Sequence, residues 1–161
     1  MATKYRFGDS EIAHFITFGV INWIDALSRP LYKDIIIDSL RYCQKEKGLV
    51  LYAWVVMSNH VHLIASAESG ILLSDIIRDL KKYTSKQIEQ AIRENPFESR
   101  KDWMLWMFKR AAEKNGNNKH FQFWQQDNLP IELYGYETLK QKLKYLHDNR
   151  VRAGIVYETW A

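Results

Sequence analysis

The chain contains a single cysteine, Cys43, so it cannot close a disulfide within itself. It has no apolar run near the ~20 residues that span a bilayer, because Arg, Lys, Asp or Glu interrupts each one. Residues 1–10, MATKYRFGDS, lack the apolar centre of a secretory signal. These absences set membrane insertion aside and point to a reducing, cytoplasmic location. Repeats and low-complexity stretches are also missing. A length of 161 residues with 47% apolar content suits one domain, residues 1–161, with a real core. The net charge of +4 and pI near 9.1 permit a polyanionic partner without requiring one.

Residues 49–66, LVLYAWVVMSNHVHLIAS, carry the clearest pattern. Apolar and β-branched residues fill Leu49 to Met57, Ser58-Asn59 are turn formers, and His60 to Ile64 resumes an extended pattern, which predicts a hairpin. Side chains alternate across a strand. His60 and His62 therefore share one face, their Cα atoms roughly 6.6 Å apart at ~3.3 Å per residue, while Val61 and Leu63 take the other. Two imidazoles placed in this way can converge on one ion. Either one alone reads more readily as a half-buried strand residue, but the pair gives up good β-formers on a single face, which suggests that the face lines a site. On spacing alone, packing and ligation both stay open.

The rest of the chain supplies a frame. Ile12 to Ile24 predicts a first strand, with Gly19 available for a bulge. Pro30 opens a helix over 31–47 with Ile36, Ile37, Leu40 and Cys43 on one side, stopped by Gly48. Ser74 is expected to cap a second helix to about Glu94, which Asn95-Pro96 ends. A tryptophan-rich helix follows over 101–113, then a turn at 115–118 and an extended segment over 120–133. The last helix, over 137–148, sets Leu139, Leu143 and Leu146 toward the core.

Strand, helix, strand, strand, helix is the opening order of a ferredoxin-like sandwich, so the expected class is α+β, with a mainly antiparallel sheet and helices on both faces. If Val61 and Leu63 face the crossover helices, His60 and His62 point the other way and need partners from an appended element. The C-terminal helix carries Tyr145 and Asn149 at i and i+4, beside the leucine stripe. A phenol and a third ligand can thus arrive together, although most of the nine tyrosines should be packing residues.

Three segments resemble one family, the single-tyrosine HUH transposases, in particular the REP-associated tyrosine transposases and related small insertion-sequence transposases. WVVMSNHVHLI at 54–64 looks like the family's HUH motif, with Val61 as the bulky middle residue. FWQQD at 123–127 is similar to the strand before the tyrosine helix, and KYLHDNRVRAGIV at 144–156 resembles that helix and its exit. Arg150 departs from the proline usual after Asn149, which changes the stiffness of the exit but removes no reactive group.

The resemblance implies a metal-dependent DNA strand-transferase, cytoplasmic and nucleoid-associated, that cleaves and rejoins single-stranded, hairpin-containing DNA through a 5′-phosphotyrosine. It makes His60 and His62 two ligands of Mg²⁺ or Mn²⁺, Asn149 or a nearby group the third, and Tyr145 the nucleophile. It also allows a homodimer. A phenol with an ordinary pKa of about 10 needs help with its proton, for which Lys142, Lys144 and a metal-bound water stay open. Tyr83 is the rival, because Tyr83 to Gln87 repeats the Tyr, three residues, amide pattern; its place on a crossover helix, expected on the sheet face opposite the histidines, favours Tyr145.

Arg78, Lys82 and Lys86, with Lys144, Arg150 and Arg152, are the candidate DNA contacts; Lys109, Arg110, Lys114 and Lys140 add to them. The first stripe reads equally well as a solvated helix face. Trp103, Trp106, Phe121, Phe123 and Trp124 can stack unpaired bases, though at this density most should be core. Two other readings are a non-cleaving domesticated hairpin-binding protein and a phosphoesterase that uses water.

Overall fold

The β-branched run HFITFG forms the first strand, His14–Gly19 (β1), and Pro30 starts the helix Pro30–Glu46 (α1) at its first position, where its missing N–H costs nothing. The hairpin follows as Leu49–Val56 (β2) and His60–Ala67 (β3). Leu73–Glu94 (α2) and Lys101–Lys114 (α3) lead to a short strand, Ile131–Glu132 (β4), and to Gly135–Arg152 (α4). This computed structural model describes residues 6–116 and 120–152, with side chains as far as Asp148. Among the described residues, no helix is long and apolar enough to cross a membrane.

The strands lie in the order β2-β3-β1-β4, every neighbour antiparallel, which is the arrangement of a ferredoxin-like α+β sandwich. Alternation divides the apolar residues into two cores. Ile16, Phe18, Val61, Leu63 and Val56 pack with the buried sides of α1, α2 and α3. Phe15, Ala53, Val55 and Ile64 pack on the other sheet face under Leu133, Leu139 and Leu146, the last two from α4. Helices therefore cover both faces, as expected. An irregularity between Leu51 and Ala53 lets Leu51 and Trp54 lie in the same core although three residues apart.

The structure departs from the sequence reading at four places. The first strand stops at Gly19 instead of Ile24: past it only an isolated Val20–Trp124 bridge remains, and Ile21–Trp23 turns into a 3-10 helix. Helix α2 begins one residue before Ser74, and the orphan N–H of Leu73 is taken by Ser10 Oγ at 2.9 Å, so the cap comes from a distant segment. The extended run 120–133 pairs regularly only at β4, because Leu129 adopts φ 43° and interrupts it. On α4, Leu143 is exposed and Leu146 alone of the leucine stripe is fully buried.

Candidate active site

The turn between β2 and β3 is stapled to the segment after β1. Leu27 N–H donates to Ser58 O (2.7 Å), Val20 N–H to Asn59 O (2.9 Å), and the Ser58 hydroxyl to Asp25 Oδ1 (2.9 Å). This anchors the first turn of β3, where His60 and His62 project from the face under α4.

The two imidazoles converge: His60 Nε2 and His62 Nε2 are 3.1 Å apart. Each ring is oriented through its other nitrogen, His60 Nδ1 by Asn59 Oδ1 (2.6 Å) and His62 Nδ1 by Thr17 Oγ1 (2.9 Å). Asn59 Oδ1 only accepts, so His60 carries its proton on Nδ1 and turns a lone pair toward His62. Thr17 can donate or accept. When it donates, His62 holds its proton on Nε2 and closes a bond to His60; when it accepts, both Nε2 lone pairs face one point, as a cation would need. Burial lowers the pKa of His60. Burial, then the neighbouring charges of His60 and Lys142, push His62 down to about 3, so both rings are neutral at physiological pH. These donors fit a divalent cation, although among the described residues no third His, Cys, Asp or Glu joins them.

Helix α4 brings Tyr145 to the pair. Its ring lies edge-on to His62 (centroids 5.7 Å) and to Phe15 (5.8 Å), while the residue is 45% exposed and so open to a ligand. Lys142, one turn earlier, holds its Nζ 4.7 Å from the Phe15 ring centre and 5.5 Å from that of Tyr145. The side chains of Asn149, Arg150 and Arg152 lie outside the described residues.

The other sequence candidates are scattered. Tyr83, Arg78, Lys82 and Lys86 are exposed on α2, whose buried side belongs to the core on the far sheet face. Arg78 is engaged by Asp75 (3.1 Å) and Asp79 (3.2 Å), and Lys144 by Asp148 (3.1 Å). His14, the histidine of β1, points away from the pair and is bonded to Ile12 O and Gly8 N–H. Sequence reasoning missed Thr17 and Asn59, which aim the histidines, and Trp23, whose ring lies 5.7 Å edge-on to His60. Asn59 was visible as a turn former; nothing local marks the other two.

It also missed Lys81. This ammonium reaches Gln125 O (2.7 Å) and Asn128 Oδ1 (2.8 Å), and Asn128 O in turn accepts Thr17 N–H (2.8 Å), so α2 clamps the interrupted edge segment onto β1 beside the site. Burial lowers its pKa to about 8 against an opposing pull from Asp127. Lys81→Met is expected to raise hydrogen exchange at Thr17 N–H roughly tenfold, since bonds to a charged donor are worth about 1.5–3 kcal/mol. Unchanged exchange there would show that the segment is held by other contacts.

Residues 25–126 match the family model for IS200-like transposases. The fold is similar to that of a REP-associated tyrosine transposase solved bound to a REP hairpin, with a TM-score of 0.65 and 17% identity over 97% of this chain and 76% of the other. It is also similar to a candidate transposase from Deinococcus radiodurans R1, with a TM-score of 0.54 and 19% identity over 91% of this chain and 97% of the other. At these identities the likeness is one of fold. Among curated proteins, none matches the sequence.

Proposed function

The chain belongs to the IS200-like transposase family, and on that premise we propose that it is a metal-dependent DNA strand-transferase, acting as one domain over residues 1–161, that cleaves and rejoins single-stranded, hairpin-containing DNA. The observation that carries this reading is the convergence of His60 and His62 through Nε2 atoms 3.1 Å apart, on the same face to which α4 brings Tyr145.

His60, His62 and Asn149 would hold Mn²⁺ or Mg²⁺, whose chemistry when bound is to polarise the scissile phosphodiester and offset the charge that grows on its oxygens. Imidazole nitrogen is a borderline donor, which favours Mn²⁺ over the oxygen-preferring Mg²⁺. Tyr145 Oη attacks phosphorus; the new O–P bond forms as the P–O3′ bond breaks, and the departing 3′-oxygen takes up a proton. The resulting 5′-phosphotyrosine keeps the energy of a phosphodiester, so an incoming 3′-hydroxyl reverses the step and frees the phenol. Lys142 holds its Nζ 5.5 Å from the centre of the Tyr145 ring, which puts a cation beside the nucleophile. Because Tyr145 packs on His62 of its own chain, this chemistry needs no second subunit, and a homodimer would serve to pair two DNA ends. The setting is a cytoplasmic one, at the nucleoid.

A denaturing gel of end-labelled single-stranded DNA incubated with protein and Mn²⁺ tests the reading. A protease-sensitive, slowly migrating DNA band is expected, and it should survive Tyr83→Phe. Free cut ends without that band would indicate a phosphoesterase using water, and intact DNA retained on native gels would indicate a hairpin-binding protein.

A further inference from the structure

Beside the histidine pair, on the side away from α4, the 3-10 turn and α3 enclose a cleft of about 790 Å³. Its lip at the site is Trp23. Trp23 is 50% exposed, yet its position is strongly determined. Asn22 and Trp23 both hold a left-handed backbone (φ 54° and 53°), a conformation that a bulky side chain adopts only when its surroundings impose it. The turn is held by Trp23 N–H donating to Val20 O (2.9 Å) and by the Asn59 side-chain amide reaching Trp23 O (3.4 Å). The ring lies over Gly19, where a Cβ would come within 2.8 Å of it. Gly19 is the register partner of His60, so the missing side chain lets the indole reach His60 with its outer surface open. A tryptophan kept solvent-exposed by a strained turn, against a proposed metal ligand, does nothing for the core.

Arg110 and Lys114, one turn apart on α3, line the cleft together with Trp23, as do Asn22, Gln125 and Gln126. Asp127 is the acid in the lining, and its charge favours the ammonium of the half-buried Lys81. The lining combines an aromatic platform, side-chain amides and two cations. That combination fits a nucleotide strand, with a base to stack, base edges to bond and phosphates to neutralise. A duplex keeps its base faces inside the stack, where a protruding indole cannot cover them.

The geometry points to this cleft as the binding groove for the unpaired nucleotides that flank the scissile phosphate, with Trp23 stacking the nearest base and Arg110 and Lys114 gripping the phosphates. This inference rests on the transposase reading above and adds a place for the strand. Arg78, Lys82 and Lys86 of α2 lie outside this path.

The test is noncovalent binding of a fluorescein-labelled single-stranded 20-mer, followed by anisotropy in excess chelator so that nothing is cut. Trp23→Ala is expected to weaken binding about tenfold and Trp23→Phe to retain most of it, since a phenyl ring also stacks. Arg110→Gln with Lys114→Gln should flatten the log Kd against log salt slope by ~1.4, the amount for two phosphates on a single strand. In the unaltered protein, 5-iodouracil DNA should crosslink to Trp23 on irradiation, a readout independent of any variant's folding. Wild-type affinity and salt slope in these variants, with crosslinks elsewhere, would overturn the groove while leaving the covalent DNA band and the transposase reading intact. Failure of the wild-type protein to bind single-stranded DNA at all would overturn both.

Discussion

Tyr145→Phe is expected to reduce covalent attachment of DNA by at least about a thousandfold, the scale on which removal of a catalytic nucleophile acts. The substitution deletes one hydroxyl and keeps the ring, so the edge-on contacts with His62 and Phe15 and the approach of Lys142 are retained. The residue is 45% exposed, and its loss of a surface hydroxyl should change stability by no more than about 0.5 kcal/mol. Noncovalent DNA binding in chelator should therefore match the wild type while the protease-sensitive band disappears. An undiminished band would sink the assignment and turn attention to Tyr83, which is exposed on α2, on the far side of the sheet.

The second large effect is expected from His60→Ala, which should lower Mn²⁺-supported cleavage by at least about a hundredfold, above the 10–100-fold typical of outer-shell partners. His60 is only partly buried, so the fold should survive its loss, and Mn²⁺ binding followed by calorimetry should fall in parallel. Thr17→Val, which removes the hydroxyl 2.9 Å from His62 Nδ1 but keeps the β-branched shape, should give the smaller, outer-shell loss. Cleavage at wild-type rates in excess chelator would remove the metal from the mechanism.

His62 adds a pH signature with a definite sign. Its folded pKa, pushed to about 3 chiefly by burial, lies below the ordinary value of 6.5. Between those limits the unfolded chain binds a proton that the folded chain refuses. Stability is unaffected by this group above pH 6.5 and is lost as pH falls toward 3, by up to about 2 kcal/mol at pH 5. Thermal melts at pH 7.5 and 5.0 should therefore diverge less in His62→Ala than in the wild type; equal divergence would mean that other groups carry the acid sensitivity.

Much of this architecture is legible along the chain because it is local. Strand alternation is enough to set His60 and His62 on one face and Val61 and Leu63 on the other, and helical spacing places Leu139 and Leu146 with Tyr145 between their turns. The placement of Tyr83 on the wrong face follows from topology alone. Where local propensity failed, a nonlocal partner had intervened or was lacking. Val20 to Ile24 is as β-prone as the residues before it, but the edge segment pairs with it only at Val20, so the strand ends. Ser74 is a good cap by type, but the helix starts ahead of it at Leu73, whose orphan N–H is taken by Ser10 from 63 residues away.

What the sequence by itself determined is the hairpin, the shared face of its two histidines and the helix able to bring a tyrosine to them, because each follows from a repeat of two or 3.6 residues. What only the tertiary structure decided is how the site is held and where it opens. Thr17 meets His62 across 45 residues of chain through the β1–β3 register, Lys81 clamps the broken edge strand, and Gly19 clears the space into which a left-handed turn sets Trp23. Those contacts depend on register and packing between distant segments, which no local periodicity encodes.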